Sequence, residues 1–163
     1  MTLPPVLAAA LEWWSSMYSN HATLRTAVSF AHIGGLLGGG GCAIAADRAT
    51  LLLPRHDAAA RLVHIDAIRR AHRVVLGGLV LLFISGVLLL GADVDTYIAS
   101  RIFWLKMALI AALLVNGAWL VGAERRITGL DTTHWVRLRR ASLASLALWF
   151  LTTLLGAALP NIG

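Results

Sequence analysis

His32 is the ionisable residue with the most unusual surroundings in this sequence. It follows Arg25 by seven residues, which corresponds to about 10 Å along a helix. On a helix, Ser29, Gly35 and Gly39 lie on the same face as the imidazole. Because these residues have small side chains or none, the face is flat, and a flat face predicts one of two arrangements. Either another helix packs closely against it, or a planar cofactor (a haem, a chlorophyll-type pigment or a quinone) lies there, with His32 as axial ligand of a tetrapyrrole.

Three charged residues predict a second polar site. Lys106 lies five residues after Arg101, and Asp93 and Asp95 precede it in a short polar stretch. We expect the ammonium of Lys106 to extend along its apolar stem toward the nearest water. The pattern therefore predicts a polar pocket that faces outward and contains Lys106, Asp93 and Asp95, with His32 beside them.

Metal chemistry has weaker candidates, namely His72 and His134. His64 and His72 are eight residues apart, about 12 Å on a helix, which is too far for one ion. The common spacings of zinc ligands, such as paired C-x-x-C, do not occur in the sequence. Asp47 stands next to Arg48, which predicts a local ion pair at the end of a helix, and we expect His72 near the level of Asp47.

The sequence signatures of common enzymes are absent. The sequence contains no G-x-x-x-x-G-K-[ST] phosphate-binding loop. The glycine-rich segment 34–41 does not follow a strand pattern, so it does not match the dinucleotide-binding fingerprint. No Ser-His-Asp or Cys-His combination is expected at one depth of the fold. We therefore expect a protein without catalytic groups.

The composition predicts that the secondary-structure elements that position these residues lie in the hydrocarbon core of a membrane. Hydrophobic residues make up 58% of the 163 residues, and charged residues only 13%, against about 45–50% and about 25% in soluble domains. A helix needs roughly 20 apolar residues to cross a bilayer. Four stretches qualify: 26–46, 74–92, 102–123 and 141–162. The sequence thus predicts a single membrane domain over residues 1–163, an all-α integral membrane four-helix bundle.

The arginines predict the orientation of this bundle. Of the 14 Lys and Arg residues, six lie in the link 47–73 and five in the link 124–140. The positive-inside rule places both links in the cytoplasm and both termini outside. We therefore expect a multi-pass protein of a bacterial inner membrane. Because its basic character reflects topology and attraction to lipid, no nucleic-acid partner is expected.

The residues before the first span predict a short amphipathic helix. Leu7, Leu11, Trp14 and Tyr18 recur at helical spacing, and Pro5 suits the first turn. We expect an interfacial helix over about 5–18 on the outer membrane surface. The alternative is a frayed tail that is anchored by its tryptophans.

Two motifs resemble a known family. The segment Phe30–Gly35, a histidine followed by small residues, resembles the first helix of small bacterial membrane proteins of the copper-resistance D family. The segment Phe103–Met107 is similar to a helix start in uncharacterised four-helix proteins of the same broad kind. The resemblance implies a four-helix membrane architecture and, as one possibility, copper handling.

These patterns support three hypotheses about function. The first is a non-catalytic subunit of a larger energy-converting complex, respiratory or photosynthetic, that contacts partner helices, lipid, quinone or pigment. The second is an electron-transfer protein that binds haem or chlorin through His32. The third is a small transporter of a metal such as copper.

Overall fold

The structure is a computed structural model that describes residues 4–53, 58–125 and 132–162. In the described part of the chain every regular element is a helix. A π-helical turn, Leu36–Gly40, interrupts the first long helix at its glycines and separates α2 from α3. Over the described ranges the α-helices are α1 Pro5–Asn20, α2 Ala22–Gly35, α3 Gly41–Leu52, α4 Ala58–Ala92, α5 Val94–Ala99, α6 Arg101–Arg125 and α7 Thr132–Ile162.

Four helical stretches are long and apolar enough to cross a membrane. They are Ala22–Leu52, Val63–Ala92, Arg101–Ala123 and His134–Asn161. The prediction of an all-α fold with four helices long and apolar enough to span a membrane is confirmed for the described residues, and each predicted span overlaps one of these stretches. Many large apolar side chains point outward, as lipid contact requires; Phe83 is 72% exposed and Trp119 is 73% exposed.

The helices extend further than the predicted spans. α4 has 35 residues, about 52 Å by helical rise, while the oil layer is about 30 Å thick. Much of the predicted link 47–73 is therefore helical. The physical reason is that residues 58–76 contain neither glycine nor proline, so nothing stops the helix where it becomes polar. α7 likewise begins at Thr132, within the predicted link 124–140.

The described helices pack mainly in two pairs. α2 and the π-helical turn pack against α4, α6 packs against α7, and α3 joins the pairs by packing against both α4 and α7. We call the end of the bundle that holds the start of α4 and of α7 the basic end. The apolar core there consists of buried side chains from α4, α6 and α7: Ile65, Ile68, Leu120, Trp135 and Leu138.

The contact between the first two spans depends on three glycines. A Cβ atom added to Gly78 of α4 would lie 2.4 Å from the Cα of Gly39 and 3.0 Å from the carbonyl oxygen of Gly35. The backbones therefore touch directly, which only residues without a side chain permit. Gly40 is also packed, since an added Cβ would lie 3.0 Å from the ring of Trp149 on α7.

α1 is docked on the carboxyl end of α4. Its Trp14 indole donates to the carbonyl of Leu88 over 2.8 Å, and the Ser15 hydroxyl donates to the carbonyl of Ala92 over 2.7 Å. The Ser15 hydroxyl thereby satisfies an acceptor that the end of the helix leaves open, and the Trp14 indole adds a second bond one turn earlier. The short polar stretch between α4 and α6 contains α5, and the Asp93 carboxylate caps it by accepting from the backbone amide of Thr96.

Candidate functional site

The imidazole of His32 is held by α4. Its Nδ1 lies 2.9 Å from the hydroxyl oxygen of Ser85, and the Ser85 hydroxyl is 2.6 Å from the carbonyl of Leu81. Since the hydroxyl proton is donated to that carbonyl, the Ser85 oxygen accepts from Nδ1–H of His32. This assignment leaves the lone pair on Nε2. Gly86 lies beside the ring, since an added Cβ would make an ordinary contact of 3.6 Å with the Cε1 of His32.

The predicted cofactor face around His32 is largely covered by protein. Gly35 and Gly39 contact the backbone of Gly78, and Ser29 is half-buried. The packing interpretation therefore accounts for both glycines, and α4 occupies the surface on which a planar macrocycle was the alternative. His32 keeps Nε2 as an available ligand atom.

The structure brings only part of the predicted outer pocket together. Lys106 lies between the helix pairs: its Nζ is 3.4 Å from a Cβ built on Gly156 of α7, and its charge interacts with His32. Asp93 caps α5 instead, accepting from the amide of Thr96 over 3.4 Å. Asp95 is exposed in the first turn of α5. Within the described ranges no ion pair joins Lys106 to either aspartate.

A polar cluster that the sequence did not predict lies nearer the basic end. Asp47 of α3 is only 5% exposed, and its carboxylate faces Ser142 and Ser145 of α7 and interacts with His72 of α4. The expected ion pair with Arg48 is wrong: Arg48 is exposed, and the described residues include no ion pair between them. Adjacent residues point about 100° apart on a helix, so both side chains cannot face inward.

A cavity of about 80 Å³ adjoins this carboxylate. Its polar lining comes from Asp47, Thr50, His72 and Ser145, and the remainder is apolar. The expected common level of His72 and Asp47 is thus observed. One cavity of this size holds about two water molecules at the liquid volume of roughly 30 Å³ each.

Polar contacts at the basic end fasten the helices to one another. The Thr50 hydroxyl lies 2.8 Å from Nε2 of His64, which ties α3 to α4. The Arg61 guanidinium lies 5.5 Å from the ring centroid of Trp135, a cation–π distance that ties α4 to α7. Arg139 donates to the carbonyl of Leu53 over 3.2 Å. These contacts have a structural role and carry no chemistry of their own.

The two weak metal candidates are not brought to one site. His72 lines the internal cavity, whereas His134 lines a groove of about 650 Å³ between α6 and α7. The groove also includes Trp119, Arg137 and Arg140. No group of three or more His, Cys, Asp or Glu residues that could hold a metal ion occurs in the described part of the chain.

One signal in the sequence pointed to the site at Asp47. Thr50 and Ala43 lie three residues after and four before Asp47, so they share its helical face, and this face has no basic residue. The serines at 142 and 145 repeat at the same three-residue spacing in the last span. Pairing these two faces required the three-dimensional packing of α3 on α7.

No family model, curated protein or solved structure matches this chain. The class that the fold and composition define is an all-helical protein with four helices able to span a membrane. The resemblance to the copper-resistance D family and similar four-helix proteins rests on the segments Phe30–Gly35 and Phe103–Met107. It stays a prediction.

Proposed function

We propose that this chain is a non-catalytic integral membrane subunit that assembles with other transmembrane helices. The proposal rests on three glycines at helical spacing, Gly34, Gly38 and Gly41. An added Cβ at Gly34, Gly38 or Gly41 would meet nothing within 4 Å, so no close contact within the described part of the chain requires glycine at these positions. Glycine weakens a helix by about 1 kcal/mol relative to alanine in water. A partner helix that approaches closely would explain their presence.

The residues around this row support a helix-binding surface. Phe30 and Leu37 flank the glycines and are 75% and 71% exposed. Large side chains beside a row of small ones form a shallow groove. Close helix–helix association in lipid depends on such small residues, because apolar surface alone provides no driving force there. The same helix already shows this mode of packing at Gly39, against Gly78.

The finer proposals concern the complex and its setting. We propose an energy-converting complex, respiratory or photosynthetic, of a bacterial inner membrane, with the basic end in the cytoplasm and both termini outside. The arginines at the start of α4 and α7 support this orientation. Lipid is a further partner: Arg137, Arg140 and Trp119 in the groove between α6 and α7 suit an anionic headgroup.

Native mass spectrometry of the protein isolated from its own membranes in mild detergent tests the assembly. We expect a heteromeric mass for the unchanged chain and a shift to the free chain for Gly38→Leu. Ala111→Leu is the control, because Ala111 is an exposed small residue on α6. A free monomer or a homo-oligomer as the sole species of the unchanged chain refutes the proposal.

A haem- or chlorin-binding protein is the second candidate, and the hydrogen bond of His32 favours it. Ligand histidines usually donate their other ring nitrogen to a neighbouring group, as Nδ1 of His32 does to Ser85. A tetrapyrrole would have to approach Nε2 from a side that Gly35 and Gly39 do not line. The absorption spectrum of the purified protein decides: a Soret or chlorin band that His32→Ala removes supports this candidate, and no such band in the unchanged protein excludes it.

A further inference from the structure

Asp47 is a buried carboxylate between the helices. It is 5% exposed, it lies on a helix that can span the membrane, and no ion pair involves it in the described ranges. An ionised carboxylate is expensive to bury unless it is paired. Ionisable groups at such positions are functional candidates by default.

The groups that face Asp47 include one other titratable side chain. From α4 this is His72, from α7 come the hydroxyls of Ser142 and Ser145, and α6 contributes only apolar lining. Arg48 is exposed. The hydroxyls can donate to a carboxylate, and they can equally accept from a carboxylic acid. The environment can therefore hold either protonation state.

The cavity joins the carboxylate to the imidazole. Asp47 and His72 both line it, and its volume of about 80 Å³ accommodates about two waters. His72 lines the cavity and is half-buried, and the next residue, Arg73, is exposed, so α4 reaches the protein surface beside the cavity. Imidazole side chains serve as proton shuttles in proteins.

We propose that Asp47 is a proton-binding site that exchanges with the basic end of the bundle through His72 and the cavity. In the transfer, the O–H bond of the Asp47 carboxylic acid breaks, and a new N–H bond forms on the neutral imidazole. The products are the carboxylate and the imidazolium, and the imidazolium releases its proton to water at the basic end. This site does not depend on the assembly proposed above, since all its groups belong to this chain.

Infrared spectroscopy of the full chain in lipid nanodiscs tests the site directly. As the pH is lowered, we expect a carbonyl stretch of a buried carboxylic acid to rise, and we expect Asp47→Asn to lose it. Asp66→Asn is the matched control, because Asp66 is exposed and paired with Arg70. A folded Asp47→Asn that keeps the band, or no such band in the unchanged protein at any pH, overturns the proposal.

Two further variants keep the test decisive if Asp47→Asn does not fold. Ser145→Ala retains the carboxyl group but removes a hydrogen bond, so the band should remain and change its frequency. His72→Gln should shift the pH midpoint of the band, and His134→Gln, in the separate groove, should not. Unchanged spectra for both Ser145→Ala and His72→Gln contradict the proposal. A midpoint that moves with sodium concentration at constant ionic strength would identify a metal-cation site instead.

Discussion

Replacing Gly78 by alanine should separate the first two spans. The new Cβ would lie 2.4 Å from the Cα and 2.7 Å from the nitrogen of Gly39. Carbon atoms normally make contact at about 3.5–4.0 Å, so the backbones must move apart by about 1 Å. A rotamer change cannot relieve this clash, because the opposing atoms belong to the backbone.

The cost follows from overpacking. Inserting a methyl group into a well-packed interior costs about 1–3 kcal/mol, occasionally more. A gap of 0.5–1 Å also forfeits about a quarter to a half of each neighbouring contact. We therefore expect Gly78→Ala to lower the free energy of unfolding by about 3 kcal/mol, the upper part of that range.

Gly77 provides a matched control in the adjacent position. A Cβ added there would meet nothing within 4 Å, so Gly77→Ala should be neutral or more stable by up to about 1 kcal/mol. The assay is reversible unfolding of both variants in mixed micelles of mild detergent and dodecyl sulfate, followed by circular dichroism. If Gly78→Ala is within about 0.5 kcal/mol of Gly77→Ala, the close approach of these helices is refuted.

Three further predictions concern the ends of the bundle. Ser15→Ala, which removes a 2.7 Å bond to the end of α4, should cost about 1 kcal/mol and accelerate amide exchange in α1, whereas the exposed Ser16→Ala should not. Arg140→Gln should lower the preference for anionic over neutral lipid, measured by native mass spectrometry, about fivefold. Arg73→Gln, outside the groove between α6 and α7, should lower it less. Equal effects of the two variants would argue against lipid binding in this groove. Burial raises the pKa of Tyr97, so its stabilising contribution is complete below about pH 10 and is lost as the pH rises through the folded value. In alkaline solution the free energy of unfolding of Tyr97→Phe should therefore fall less steeply with rising pH than that of the unchanged protein. The same pH dependence for both proteins would contradict this prediction.

Most of the architecture could be predicted from the sequence, because lipid imposes it. A backbone in oil must satisfy its own hydrogen bonds, so each apolar stretch of sufficient length becomes a helix, as Val63–Ala92 does. The ends of the helices were less predictable. Charged residues such as Arg61 and Arg69 exclude a segment from oil without breaking its helix, and α4 therefore continues beyond its apolar part.

The candidate site was predictable only in part. His32 stood out because it is an isolated imidazole in an apolar stretch, and its partner Ser85 lies 53 residues away, where only the pairing of α2 with α4 brings it into contact. For Asp47, the adjacent Arg48 predicts an ion pair at a helix end, whereas the carboxylate is buried. A linear pattern gives the spacing of residues on one helix but not which neighbouring helix they face.

The sequence by itself determined that this chain forms apolar helices, roughly where they lie, and which of their ends are basic. These are properties of single segments in oil and at its surface. The tertiary structure alone decided that Gly39 touches Gly78 while Gly38 stays uncovered, and that Asp47 meets His72 and Ser145 inside the bundle. Such contacts depend on how each helix is rotated about its axis, which the packing of all four long helices sets jointly.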